Sequence, residues 1–139
     1  MNSERLTRIN VETSSRSQLI DITREVRKAV TSSGVSGGSC LLFVPHTTAG
    51  VTINENADPD VTADITAFLN KKIPLSDPGF RHSEGNSDAH IKSTLTGTSL
   101  DVIISEGDLL LGTWQGIYFC EYDGPRSRKL YIKIRPDSG

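Results

Sequence analysis

The spacing of apolar residues changes several times along the chain, and each change marks an element. Residues 6–11 read as a short strand. Ser15-Arg16-Ser17-Gln18 has the form of a capping box, and Leu19, Ile22, Val26 and Val30 follow at helical spacing, which predicts a first helix running to about Thr31. Gly34, Gly37 and Gly38 end that helix. Residues 40–44 then form a continuous apolar run of strand length, the pattern of a strand covered on both faces. Residues 51–55 alternate apolar and polar, so a second short strand delivers Glu55 near its end.

Asp58 followed by Pro59 is a helix start: the carboxylate can accept free amides, while proline in the first turn forfeits no intrahelical bond. Val61, Ile65, Phe68 and Leu69 mark one apolar face of that second helix. Residues 74–87 are rich in Pro, Gly, Asp and Ser and read as a loop long enough to carry function. A short third helix is predicted from Ser87, with Ile91 and Leu95 inward, Gly97 closing it and His90 in an exposed first turn. The remainder reads as strands over 99–105, about 112–122 and 128–134, broken by turns at Glu106-Gly107-Asp108 and Asp123-Gly124-Pro125, with the last two strands forming a hairpin. Strand-rich ends around a helical middle make the class α+β: a single compact domain over 1–139, a mixture of strands with about three helices.

A chain of 139 residues can bury its own core without disulfides or a structural metal. Its net charge of −2 provides no general attraction to nucleic acid or an anionic membrane, so neither is expected as a partner. Residues 1–10 are polar, with no apolar leader segment, and no later stretch has the length to span a bilayer. Two cysteines, Cys40 and Cys120, are too few and wrongly spaced for a disulfide scaffold or thiolate zinc site, which fits a reducing cytoplasm and inert buried thiols.

The chemistry is concentrated in the histidines. All three lie in polar motifs: Pro45-His46-Thr47-Thr48, His82-Ser83-Glu84-Gly85-Asn86 and Ser87-Asp88-Ala89-His90. Gathered by folding, His46, His82 and His90 could supply three neutral nitrogen ligands to a divalent metal and leave a position open, with Glu55, Glu84 and Asp88 orienting them. Turn and helix-start roles are the structural alternative, strongest for Asp58 and also open to Asp88. An anion-binding reading coexists with the metal. Hydroxyls of Thr47, Thr48 and Ser83, free amides near Ser87, and the charges of Arg126, Arg128 and Lys129 suit phosphate, although Arg128 could equally lie on a solvated strand face. Gly112-Thr113-Trp114-Gln115-Gly116 sets the only tryptophan between glycines, which suits an interface, an aromatic ligand or core packing alike. No nucleophile elbow, P-loop or dinucleotide fingerprint occurs, which disfavours a serine hydrolase.

Three long motifs, His46-Thr47-Thr48-Ala49-Gly50-Val51-Thr52-Ile53-Asn54-Glu55-Asn56-Ala57-Asp58-Pro59, then His82-Ser83-Glu84-Gly85-Asn86-Ser87-Asp88-Ala89-His90-Ile91-Lys92, then Gly112-Thr113-Trp114-Gln115-Gly116-Ile117, closely resemble the YjbQ-like family, also called the secondary thiamine-phosphate synthase family. The resemblance covers nearly the whole chain. It implies a compact α+β domain that assembles as a homotrimer, with a polar pocket where the motif histidines gather. It also implies a weak thiamine-phosphate synthase activity, joining a pyrimidine pyrophosphate to a thiazole phosphate.

The expected site therefore has His46, His82, His90, Glu55, Glu84 and Asp88 as catalytic groups, and Thr47, Asn54, Asn86, Arg126 and Arg128 as substrate contacts. His46, His82 and His90 are the expected metal ligands; zinc suits three imidazoles best, and magnesium is possible. Two readings stand: a metal-supported enzyme acting on a phosphorylated small molecule, and a trimeric metal- or anion-binding protein without turnover. Apolar residues at 109–111 and 117–119, with Trp114, are the expected intersubunit surface.

Overall fold

The computed structural model describes residues 6–138; the polar start of the chain at 1–5 lies outside them. The described chain is an α+β domain of eight strands and three helices. The strands are β1 (Leu6–Glu12), β2 (Gln18–Asp21), β3 (Gly38–Phe43), β4 (Ala49–Glu55), β5 (Ser99–Ser105), β6 (Asp108–Leu109), β7 (Gln115–Glu121) and β8 (Ser127–Pro136). The helices are α1 (Thr23–Ser33), α2 (Pro59–Lys72) and α3 (Ser87–Thr96), and no helix among the described residues is long and apolar enough to cross a membrane.

The strands form two antiparallel sheets, one ordered β1-β8-β3-β5-β6 and the other β2-β7-β4. Val11, Leu42, Val102, Leu130 and Ile132 from the larger sheet, Val51, Ile117 and Phe119 from the smaller one, and Val26 and Val30 from α1 make one buried core. The alternation of β8 explains its place: Arg128, Leu130, Ile132 and Ile134 point inward while Lys129, Lys133 and Arg135 are exposed. A second buried cluster, Ala89, Cys120 and Tyr122 with Leu19 and Leu69 packed on it, draws on β7, α3 and α2.

Several sequence expectations change. The strand covered on both faces is β7, buried from Gly116 to Glu121, whereas β3 alternates, with Cys40 and Leu42 buried and Phe43 exposed. The expected hairpin between the last two strands does not form. Pairing places β7 between β2 and β4, and β8 between β1 and β3, so the turn at 123–126 carries the chain from one sheet to the other. Residues 18–21 are strand rather than helix because they pair with β7, and Gln18 takes the Ser14 amide at 2.9 Å instead of capping a helix. The real start of α1 is fixed by Asp21, whose carboxylate accepts from both the amide and the hydroxyl of Thr23.

On α3 the polar face is the inner one: Asp88, Ala89, Lys92 and Ser93 are buried, while Ile91 and Leu95 are exposed. On α2 the predicted start is observed, with Asp58 accepting from the Asp60 amide at 2.9 Å and Pro59 in the first turn, but none of its residues is buried. Residues 74–86 hold no helix or strand, as expected of the loop.

Gly50 on β4 lies against the end of α3. A Cβ there would stand 2.6 Å from the Gly97 carbonyl oxygen and 3.1 Å from Thr96 Cγ2. Gly50→Ala is therefore expected to destabilise the fold by about 1–3 kcal/mol through overpacking against backbone that cannot rotate away. Calorimetry that finds an unchanged midpoint would show that the end of α3 yields freely.

Candidate functional site

Where β3 leaves the larger sheet, Pro45, His46 and Thr47 turn back over the start of β8 and border an open cavity of about 620 Å³, walled also by Thr48, Thr98, Arg126 and Arg128. Arg128 is 2% exposed and is the fixed part of the wall. Its Nε donates to Glu121 Oε1 at 2.8 Å, and its Nη2 donates to Glu121 Oε2 and, at 2.9 Å, to Thr48 Oγ1. Nη1 has no partner among the described residues, so one arm of the guanidinium of this cavity-lining residue remains unspent. Glu121 is buried beneath it and also accepts from the Thr13 hydroxyl at 2.8 Å and the Asp123 amide at 2.9 Å. Arg128 thus lies on the core face of β8, not on a solvated strand face.

The ring of His46 is oriented by the backbone. Its Nε2 accepts from the Lys129 amide at 2.9 Å, and its Nδ1 has no partner among the described residues. Partial burial, then the nearby Arg128, Lys129 and Arg126 cations, hold its pKa below the usual 6.5, against an opposing pull from Glu121. Folding therefore disfavours its proton, and stability falls as pH drops below 6.5, where the unfolded chain takes up the proton first. His46→Gln places an amide oxygen near Nε2 and removes the titration. Urea midpoints measured at pH 7 and pH 5 should fall less in this variant than in the parent protein; equal falls would remove the assigned shift.

The other two histidines form a separate pair. The rings of His82 and His90 meet edge to face with centroids 5.5 Å apart, and Glu84 Oε1 lies 3.9 Å from His82 Nε2. Below them lies a charged network that the sequence reading did not anticipate. Asp88, buried in α3, receives Arg16 at 2.9 Å and Lys92 at 3.3 Å, and Lys92, also buried, donates to Asn70 on α2 at 2.8 Å. Asp123 receives Arg16 at 3.0 Å, Asn86 at 2.9 Å and Arg126 at 3.1 Å. Asn86 opens α3, so Asp123 ties the helix carrying His90 to the arginine at the rim of the His46 cavity. The Asn86 Oδ1 atom is buried without a partner among the described residues.

The expected residues therefore fall in four places. His46, Thr47, Arg126 and Arg128 meet at the cavity; His82, His90, Glu84 and Asn86 stand together at the start of α3. Asp88 is an ion-pair partner on the buried face of that helix rather than a group open to substrate. Asn54 and Glu55 lie at the far end of β4, roughly 20 Å of extended chain from its start beside Thr48. There the Asn54 side chain accepts from the Glu55 amide, and the Glu55 carbonyl accepts from the Tyr118 hydroxyl. Among the described residues no three His, Cys, Asp or Glu side chains stand close enough to hold a metal ion. His46, His82 and His90 thus do not form the expected ligand set within one chain.

Glu121, Thr13, Arg16, Asp123 and Lys92 were missed. For Arg128 a signal was present: it shares the two-residue phase of Leu130, Ile132 and Ile134, so a buried carboxylate partner was implied. Cys40 and Cys120 are buried free thiols, each pushed up to about 12 chiefly by burial, and so inert as expected. Trp114 is exposed, which rules out the core-packing reading, and residues 117–119 belong to the core rather than to an interface.

A family model described as UPF0047 protein YjbQ-like matches residues 7–137. The UPF0047 protein YugU of Bacillus subtilis is 51% identical over 126 residues, covering 91% of this chain and 96% of its own. A UPF0047 protein of Methanocaldococcus jannaschii is 53% identical over 132 residues, covering 95% of each. Among solved structures, an uncharacterized conserved protein of the YjbQ/UPF0047 family from Clostridium acetobutylicum superposes with a TM-score of 0.91 at 56% identity, covering 93% of this chain and 99% of that one. A YbjQ-like protein of unknown function from Sulfolobus solfataricus does so with a TM-score of 0.90 at 33% identity, covering 95% and 96%.

Proposed function

The chain belongs to the UPF0047 family of YjbQ-like proteins, and from that premise we propose that it is a slow enzyme acting on a phosphorylated small molecule, with the phosphoryl group seated in the His46 cavity. The observation that carries the reading is Arg128: a buried guanidinium held rigid by Glu121 and Thr48, with one arm unspent, on a residue lining a cavity also walled by Arg126, Thr47 and Thr98. A preorganised donor of this kind suits a phosphate oxygen, because its geometry is fixed before the ligand arrives. Within this reading His82 and His90 are the acid and base groups, Glu84 bears on His82, and Asn86 and Asp88 hold the helix on which His90 stands.

The reaction proposed for testing is the one implied by the resemblance: a pyrimidine pyrophosphate and a thiazole phosphate give thiamine phosphate and pyrophosphate. Departing pyrophosphate needs positive charge, which Arg126 and Arg128 supply on this chain. A divalent cation belongs to the proposal as a supporting charge, either magnesium arriving with substrate or zinc on His82 and His90, in which case the two rings are ligands in place of acid and base. We propose further that the protein is a cytoplasmic homotrimer. The buried unpaired thiols support a reducing setting, and exposed Phe68, Leu95, Leu110 and Trp114 are apolar surface for subunits to cover. Asn54 and Glu55 enter the site only from a neighbouring copy, and a monomeric mass by light scattering at micromolar concentration would remove them from it.

The enzyme reading is tested with preparations free of the host's own synthase. His82→Ala and His90→Ala should each abolish product formation while the fold and phosphate binding persist. Unchanged turnover in both moves the chemistry elsewhere. Phosphate binding without turnover in the parent protein favours the second reading, an anion-binding protein, which the openness of the cavity to solvent also suits.

A further inference from the structure

We infer that the His46 cavity takes the phosphoryl group without a metal ion, with His46 acting as a neutral hydrogen-bond donor through Nδ1 and not as a metal ligand; the inference rests on the phosphorylated substrate proposed above. A ligating imidazole must offer a lone pair, and the Nε2 lone pair of His46 is taken by the Lys129 amide at 2.9 Å. The neutral ring then carries its proton on Nδ1, leaving that edge a donor only.

The arrangement follows from the sheet. β3 pairs with β8 in register as far as Phe43 opposite Tyr131, and the chain then departs at Pro45. The next inward amide of β8, that of Lys129, loses its ladder acceptor there, and the His46 ring replaces it. Turning Nε2 toward a metal would leave that amide without this acceptor.

The surroundings point the same way. Arg126, Arg128 and Lys129 all act on His46 as nearby positive charges, a field that repels a divalent cation and favours an anion with two charges. Glu121 opposes them and is paired with Arg128, so that pair is close to neutral and the excess positive charge is that of Lys129 and Arg126. The side-chain hydroxyls of Thr47 and Thr98, Arg128 Nη1 and His46 Nδ1 make no hydrogen bond to another described residue, which leaves four donors unspent on residues that line the cavity. His82 and His90 lie outside this wall.

The test uses the full chain stripped with EDTA. Calorimetric titration with inorganic phosphate and with phenyl phosphate should show binding that added zinc does not strengthen. Long-range proton–nitrogen correlation spectra should show His46 protonated at Nδ1 both before and after zinc, with zinc shifting only the His82 and His90 signals. His46→Gln, whose amide oxygen can still accept from Lys129 but which places no donor where Nδ1 stood, should weaken phosphate binding at least about tenfold, the loss expected for one hydrogen bond to a charged group. Phosphate binding that requires zinc, a zinc-ligated His46 signal, or a His46→Gln variant that binds as the parent does would each overturn the inference. A protein that binds phosphate metal-free but turns over no substrate fails only the enzyme reading; turnover with metal-dependent phosphate binding fails only this one.

Discussion

Glu121→Ala is expected to cost about 3–5 kcal/mol of folding stability, the usual consequence of removing one partner from a buried ion pair. Arg128 is 2% exposed, and its Nε and Nη2 both rest on this carboxylate, so the substitution leaves a guanidinium that cannot lose its proton in a place with little water. The Asp123 amide loses its acceptor in the same step, and the Thr13 hydroxyl keeps only the Arg126 carbonyl, 3.0 Å away. The double variant Glu121→Leu/Arg128→Met should recover much of the loss, because two apolar groups of similar volume leave no charge stranded, yet it should bind no phosphate. Urea midpoints for the single and double variants check both halves of this expectation, and a loss below about 1 kcal/mol for Glu121→Ala would show that water reaches Arg128.

Acid sensitivity provides an independent reading of the same pair. Burial alone would raise the pKa of Glu121, but hydrogen bonds from Arg128, the Asp123 amide and Thr13 outweigh it and hold the carboxyl below the usual 4.5. Its contribution to stability is therefore complete above pH 4.5 and is lost as pH falls through the lower folded value. Glu121→Gln should flatten that part of the acid unfolding curve.

The second large effect is expected at Asp88. Asp88→Ala removes the carboxylate that faces both Arg16 and Lys92, stranding the buried Lys92 ammonium with Asn70 as its remaining acceptor, at a cost of about 3 kcal/mol. Adding Lys92→Met should return part of that stability, so a double-mutant cycle should show strong coupling. The functional consequence separates the two halves of the site. Loosening the start of α3 should displace His90 from His82 and lower turnover, while phosphate binding at the His46 cavity stays near that of the parent protein. Equal loss of binding and turnover would mean that the two halves are one unit.

The helix start at Asp58 and Pro59, the Gly34 stop of α1 and the turn at Glu106-Gly107 were legible because each depends on residues within a few positions of one another. The turn is a two-residue hairpin with both residues at positive φ, Glu106 at 52° and Gly107 at 79°, the geometry of type I′. Residues 18–21 were misread as helix because Leu19 and Ile22 satisfy helical spacing by coincidence, and only pairing with β7 decides otherwise. On α3, Ile91 and Leu95 suggested the inner face on hydrophobicity alone. Asp88 and Lys92 could be buried instead because each finds its counter-charge, one of them from Arg16, seventy-two positions away.

Short-range signals were enough for the α+β class, the order of most elements and the motifs that hold the three histidines. These are consequences of local propensity, of two- and 3.6-residue periodicity, and of capping, all of which act over short stretches of chain. Long-range pairing alone puts β7 and β8 in different sheets, turns His46 to the Lys129 amide, and sets His82 and His90 apart from it as a pair. Those facts turn on which distant strand supplies a hydrogen-bond partner and which distant charge compensates a buried one. Such partnerships are energies between residues far apart in the chain, and no local pattern encodes them.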